Sequence, residues 1–165
     1  MPEALRICSN AEMRELDRLA DQEYGLGPDL LMENAGRAAA QIILENFPNA
    51  GRDSEILVFA GKGNNAGDAF VVARRLLCLE RRVRVFHLQP ETSYKGAPLR
   101  YLQILKKMKA KLVQLENVAE LNEYFASSPG PFTAIDGILG TGLKGSLHGL
   151  LYDVVEAINA ARCRE

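Results

Sequence analysis

A chain of 165 residues with 47% hydrophobic content has the size of one ordinary domain and enough apolar mass for a single core. Its 20 basic and 21 acidic residues leave a net charge of −1, with neither sign gathered in one block, which gives no electrostatic case for nucleic acid or a membrane surface. The opening MPEALRICSN lacks the apolar core of a secretory signal, no apolar run reaches a membrane-spanning length, and Cys8, Cys78 and Cys163 have neither metal nor redox spacing. The composition reads as that of a cytoplasmic protein with reduced thiols.

In chain order, Ser9 to Glu12 has capping-box spacing and predicts a helix to about Tyr24, interrupted by Gly25-Leu-Gly-Pro28. A second helix is expected from Asp29 to near Asn46, with Ala35-Gly36 and Ala38 to Ala40 permitting close packing against another element. The continuous apolar run Ile56 to Ala60 reads as a strand buried on both faces. Further strands are expected at 83–88, 111–115 and 132–136. Helices are expected at 68–79, 96–108, 118–125 and 149–161. This alternation predicts an α/β fold, Rossmann-like, with an open, mainly parallel sheet between two layers of helices. Four strands are fewer than the five or six usual in a doubly wound sheet, so the chain reads as one domain over 1–165 that lacks its last strands.

The first strand leads directly into Gly61-Lys-Gly-Asn-Asn-Ala-Gly-Asp68. Glycines allow backbone amides to approach a ligand, and a following helix N-terminus favours an anion such as phosphate. The spacing is one residue longer than the usual dinucleotide fingerprint. The second strand also ends Phe86-His-Leu-Gln89, without the carboxylate that holds a ribose hydroxyl in ordinary dehydrogenases. Asn64, Asn65 and Asp68 have a local reading, as left-handed turn formers and a helix cap. Together they have another, as oxygen ligands at a strand's carboxyl end, of a kind that suits a hard cation.

A second loop repeats the arrangement. Asp136 closes an apolar strand, and Gly140, Gly142 and Gly145 follow it. In a parallel sheet Asp136 would emerge on the same edge as Asn65, so that two oxygen-rich loops face one crevice if their strands are neighbours. Lys144 and Ser146 could then engage a phosphate. Asp136 also has the simpler reading of a loop hydrogen-bonder, Lys144 that of a solvated surface charge, and His87 and His148 stand isolated.

Three motifs, Leu31-Met-Glu-Asn-Ala-Gly36, Gly61 to Asp68, and Ile135-Asp-Gly-Ile-Leu-Gly-Thr-Gly-Leu143, resemble those of the YjeF N-terminal domain family, whose best-known members are NAD(P)H-hydrate epimerases. The resemblance implies interconversion of the R and S forms of hydrated NADH or NADPH, in a repair step completed by a separate dehydratase. By position it implies Asn65 and Asp136 as potassium (K+) ligands. It places the hydrated dinucleotide on Asn64, Asn65, Ala66, Gly67 and Asp68 and on Gly140, Thr141, Gly142, Leu143, Lys144, Gly145 and Ser146. Epimerisation needs a proton moved to and from oxygen, and Asp136 is the residue the sequence offers for organising it. A homodimer through the first two helices is a further expectation.

Two positions depart from the family pattern. Ala66 replaces a glycine, which would cost about 1 kcal/mol if that position required positive φ and little otherwise. The family's Asp-x-Pro-Ser-Gly motif, which supplies a catalytic Asp and another potassium ligand, does not occur. A non-catalytic binding or scaffold module is therefore the alternative reading.

Overall fold

A computed structural model of the chain describes residues 7–127, 130–142 and 145–162. Helix α1 (Asn10–Tyr24) opens with the expected capping box, Ser9 accepting from the Glu12 amide while the Glu12 carboxylate accepts from the Ser9 amide. Gly25 ends it in the left-handed region at φ +67°, where a side chain would be strained. Helix α2 (Pro28–Asn46) starts on a proline, whose missing N–H costs nothing in a first turn.

Strand β1 (Glu55–Ala60) carries the continuous apolar run, and Ile56 through Ala60 are completely buried. Helix α3 (Asn64–Cys78) follows, then β2 (Val83–His87), a 3-10 turn at Glu91–Ser93, α4 (Gly96–Lys107), β3 (Lys111–Gln114), α5 (Val118–Ser127), β4 (Phe132–Gly137) and α6 (Leu150–Arg162). The four strands form one sheet in the order β3-β2-β1-β4, and every pairing is parallel. The expected α/β sheet is therefore present and wholly parallel. Among the described residues, no helix is long and apolar enough to cross a membrane.

Alternate residues of the buried strands feed two cores, which is why β1 is apolar throughout rather than alternating. Ile56, Val58 and Ala60 pack with α2, α3 and α4, while Leu57 and Phe59 face α5 and α6. Phe59 and Phe86 are paired across β1 and β2 and stack at 5.3 Å between ring centroids. Each large side chain so buried contributes roughly 1.5–3 kcal/mol relative to exposure.

Glycines set the close approaches. A Cβ on Gly36 would lie 2.5 Å from Val71, and one on Gly67 would lie 2.5 Å from the Met32 sulfur, so α2 and α3 cross on these two positions. The small residues near Gly36 permit the packing that their spacing suggests.

The chain runs from β1 outward through β2 to β3, then returns to place β4 on the other side of β1. The order reverses between β1 and β4, and open α/β sheets bind ligands outside the carboxyl ends of strands at such a point.

Candidate functional site

At that reversal a crevice of about 670 Å³ opens. Lys62, Gly63, Asn64, Asn65 and Asp68 line one wall, at the β1–α3 junction. Ile138 to Gly142, after β4, line the other, and Gln89 and Leu151 complete the lining. The two loops that sequence spacing assigned to one edge do face each other. They are held together directly: the Gly61 amide donates to Gly137 O at 3.1 Å, and the Asn65 side-chain amide donates to Leu139 O at 2.6 Å.

The glycine motif is less of a loop than its sequence suggests. Helix α3 begins at Asn64, four residues before the expected start, because Gly63 adopts φ +82° and turns the chain straight into the helix. Asn64, Asn65 and Ala66 thus form its first turn. Among the described residues no side chain caps this end, so its leading amides have no side-chain partner, and an uncapped helix start favours an anion. Asp68 is the fifth residue of α3 and is too far along to cap it. Among the described residues only Glu80 and Lys109 are non-glycines with positive φ, so Ala66 is unstrained and packs in the core.

Asp68 is half-buried, and burial together with the nearby Asp17 carboxylate pushes its pKa up to about 6. It also borders a second cavity of about 550 Å³ between α1, α2 and α3, where Arg14, Asp17, Arg18 and Asp21 face it from α1.

Asp136 is paired with Phe59 and exposed on the outer strand of the sheet, and its Oδ1 accepts from the Ile138 amide at 2.8 Å. It does not line the crevice. Ala66 and Gly67 are buried beneath the crevice, where Gly67 serves the crossing with α2. Gly145 and Ser146 are exposed outside its lining, and Leu143 and Lys144 lie outside the described residues.

Sequence reasoning missed Lys62, Gly63, Gln89, Ile138, Leu139 and Leu151 as lining residues. Gln89 had a signal, since it follows the second strand at the carboxyl edge. Leu151 had none, because only the packing of α6 against the sheet brings it there. A supporting contact also went unnoticed: Tyr94, buried, donates to Gly61 O at 2.8 Å. Burial raises its pKa to about 12, with the Gln89 backbone amide acting weakly the other way, so the hydroxyl stays a donor.

The family model described as YjeF-related protein N-terminus matches residues 28–164. The chain belongs to this family.

Named relatives of this YjeF-type chain include the bifunctional NAD(P)H-hydrate repair enzyme Nnr of Moorella thermoacetica, 40% identical over 94% of this chain and 29% of its own length. The NAD(P)H-hydrate epimerase of Rhodopirellula baltica is 34% identical over 90% of this chain and 58% of its length. That of Elusimicrobium minutum is 32% identical over 95% of this chain and 71% of its length. The chain therefore spans between about a third and somewhat over two thirds of these relatives. A crystal structure of yeast ynu0 matches 97% of the chain and 67% of its own with a TM-score of 0.80; at 24% identity that likeness speaks to the fold.

Proposed function

We propose that the chain is an NAD(P)H-hydrate epimerase domain, interconverting the R and S forms of hydrated NADH or NADPH. The observation that carries this reading is the crevice at the strand reversal, where the uncapped start of α3 faces the Gly140–Gly142 loop. The names of relatives 32–34% identical over most of the chain support it. A bifunctional repair enzyme among the relatives supports a working partnership with an NAD(P)H-hydrate dehydratase, and the cysteine pattern is compatible with the cytoplasm.

In this reading the amides at the start of α3 and the Lys62 ammonium bind the pyrophosphate, through the helix dipole and direct charge. Thr141 and Asn64 orient polar groups of the dinucleotide. Asp68 borders the crevice with its pKa raised to about 6, so its carboxyl can hold a proton for, or take one from, the hydroxyl that must leave and return. A carboxylate there also stabilises positive charge developing on the ring.

Asn65 and Asp136 are the residues that would hold K+ in this reading. Asn65 engages its amide nitrogen with Leu139 O, which leaves its carbonyl oxygen as the ligating atom, and Asp136 adds one carboxylate. Oxygen donors with a single negative charge suit a hard monovalent cation. If bound by these residues, the ion would supply fixed positive charge to the site.

The position of Asp136 outside the crevice lining favours the second reading, a binding module without turnover. The deciding assay mixes the full chain with R-form NADPH hydrate and an S-specific dehydratase in potassium buffer. NADPH is expected to return faster than with dehydratase alone; an unchanged rate rules out catalysis by this chain. Affinity for NADP-like ligands unaltered in Asn65→Ala and Asp136→Ala would remove both residues from the site.

A further inference from the structure

Tyr94 follows the 3-10 turn after β2, is only 3% exposed, and does not line the crevice. Its ring meets Phe70 of α3 edge-on at 5.4 Å and His87 of β2 at 6.3 Å between centroids, so two elements set its position. Its hydroxyl donates to the Gly61 carbonyl oxygen at 2.8 Å, while the Gly61 amide donates to Gly137 O at 3.1 Å. The residue at the exit of β1 is thus held by both its polar atoms, with its oxygen turned into the core. Among the described residues every peptide bond is trans. In a planar trans peptide the next N–H points opposite to the carbonyl, so the Lys62 amide is turned away from Tyr94 and out of the core. Among the described residues that amide makes no hydrogen bond, and Lys62 lines the crevice.

Which way this peptide faces matters to an anion. With glycine at positions 61 and 63, the backbone itself has little preference for either orientation. Turned about, the peptide would aim a carbonyl oxygen at the crevice and withdraw an amide from it. A buried carbonyl without a partner is costly, so the Tyr94 hydroxyl selects the orientation in which the oxygen stays in the core. Resting on the dinucleotide reading above, we propose that Tyr94 is a positioning residue: by holding the Gly61 oxygen in the core, it presents the Lys62 amide to the pyrophosphate in the crevice. The hydroxyl touches no ligand and acts through one peptide plane. The amide it presents adds a donor just ahead of the uncapped start of α3.

Tyr94→Phe keeps the ring between Phe70 and His87 and removes only the donor. The isotope-labelled full chain is titrated with ADP-ribose, which carries the pyrophosphate and omits the nicotinamide ring, and followed by calorimetry and amide NMR. In the wild type the Lys62 amide proton is expected to move downfield as it bonds to a phosphate oxygen. In Tyr94→Phe that shift is lost and affinity falls about tenfold, as for one hydrogen bond to a charged group. Phe70→Leu, which loosens the same packing and leaves the hydroxyl, is expected to melt earlier than wild type yet keep both the Lys62 shift and the affinity. A wild-type chain that binds ADP-ribose without moving the Lys62 amide overturns the inference and keeps the dinucleotide reading, even if Tyr94→Phe fails to fold. A folded Tyr94→Phe with the wild-type shift and affinity also overturns it, as does a folded Phe70→Leu that loses both. A wild-type chain that does not bind ADP-ribose overturns the dinucleotide reading and the inference with it.

Discussion

Asp68 shows how one residue's surroundings define its chemistry. An aspartate whose folded pKa is raised to about 6 binds more protons in the native state than in the unfolded chain between pH 4 and 6, so stability falls as pH rises through that window. Below it both states are protonated and nothing is lost; above it the full cost of the half-buried charge beside Asp17 is present. Asp68→Asn removes that cost. It is expected to be more stable than wild type by about 1 kcal/mol at pH 8, a figure that allows for solvent screening, with the gap closing toward pH 4. Urea denaturation at the two pH values reads this directly, and a gap that stays constant with pH would contradict it. If Asp68 also moves the proton in epimerisation, the same variant loses turnover while gaining stability, the trade expected at a functional site.

At the scale of the element, α3 resolves the oddity of Ala66. In a loop needing positive φ, alanine would be a defect; as the third residue of a helix and wholly buried, it is a better choice than glycine. Ala66→Gly, which restores the family's usual residue, is therefore expected to lower stability by about 1 kcal/mol through backbone entropy and a lost buried methyl. Equilibrium denaturation checks the sign. A stabilised variant would mean that the helix starts later than Asn64. The capping box of α1, legible from Ser9 and Glu12, shows the contrasting case in which local chemistry alone fixed an element's start.

For the molecule as a whole, the crevice exists because β1 and β4 lie side by side and their ends nearly touch. A Cβ on Gly61 would come within 1.9 Å of Ile138 O and 2.8 Å of its carbonyl carbon, backbone atoms that cannot turn aside. Gly61→Ala is expected to cost about 3 kcal/mol and to abolish dinucleotide binding. Thermal melting and calorimetry test both parts; a variant that melts and binds like wild type would show that the two strand ends can separate freely.

The strand and helix periods, the α/β class and the family were legible in the residues alone, because apolar spacing and glycine motifs report backbone geometry locally. It also located Asn64, Asn65 and the Gly140–Gly142 loop, since each follows directly on a strand end. Which of these residues share a space followed from how the strands are ordered and packed. Strand order brought Gln89 to the crevice, the packing of α6 against the sheet added Leu151, and the pairing of Asp136 with Phe59 left its carboxylate on the sheet's outer strand, outside the lining. The crossing of α2 on α3 likewise depended on Gly36 meeting Val71 and Gly67 meeting Met32, contacts between segments far apart in the chain that no local pattern encodes.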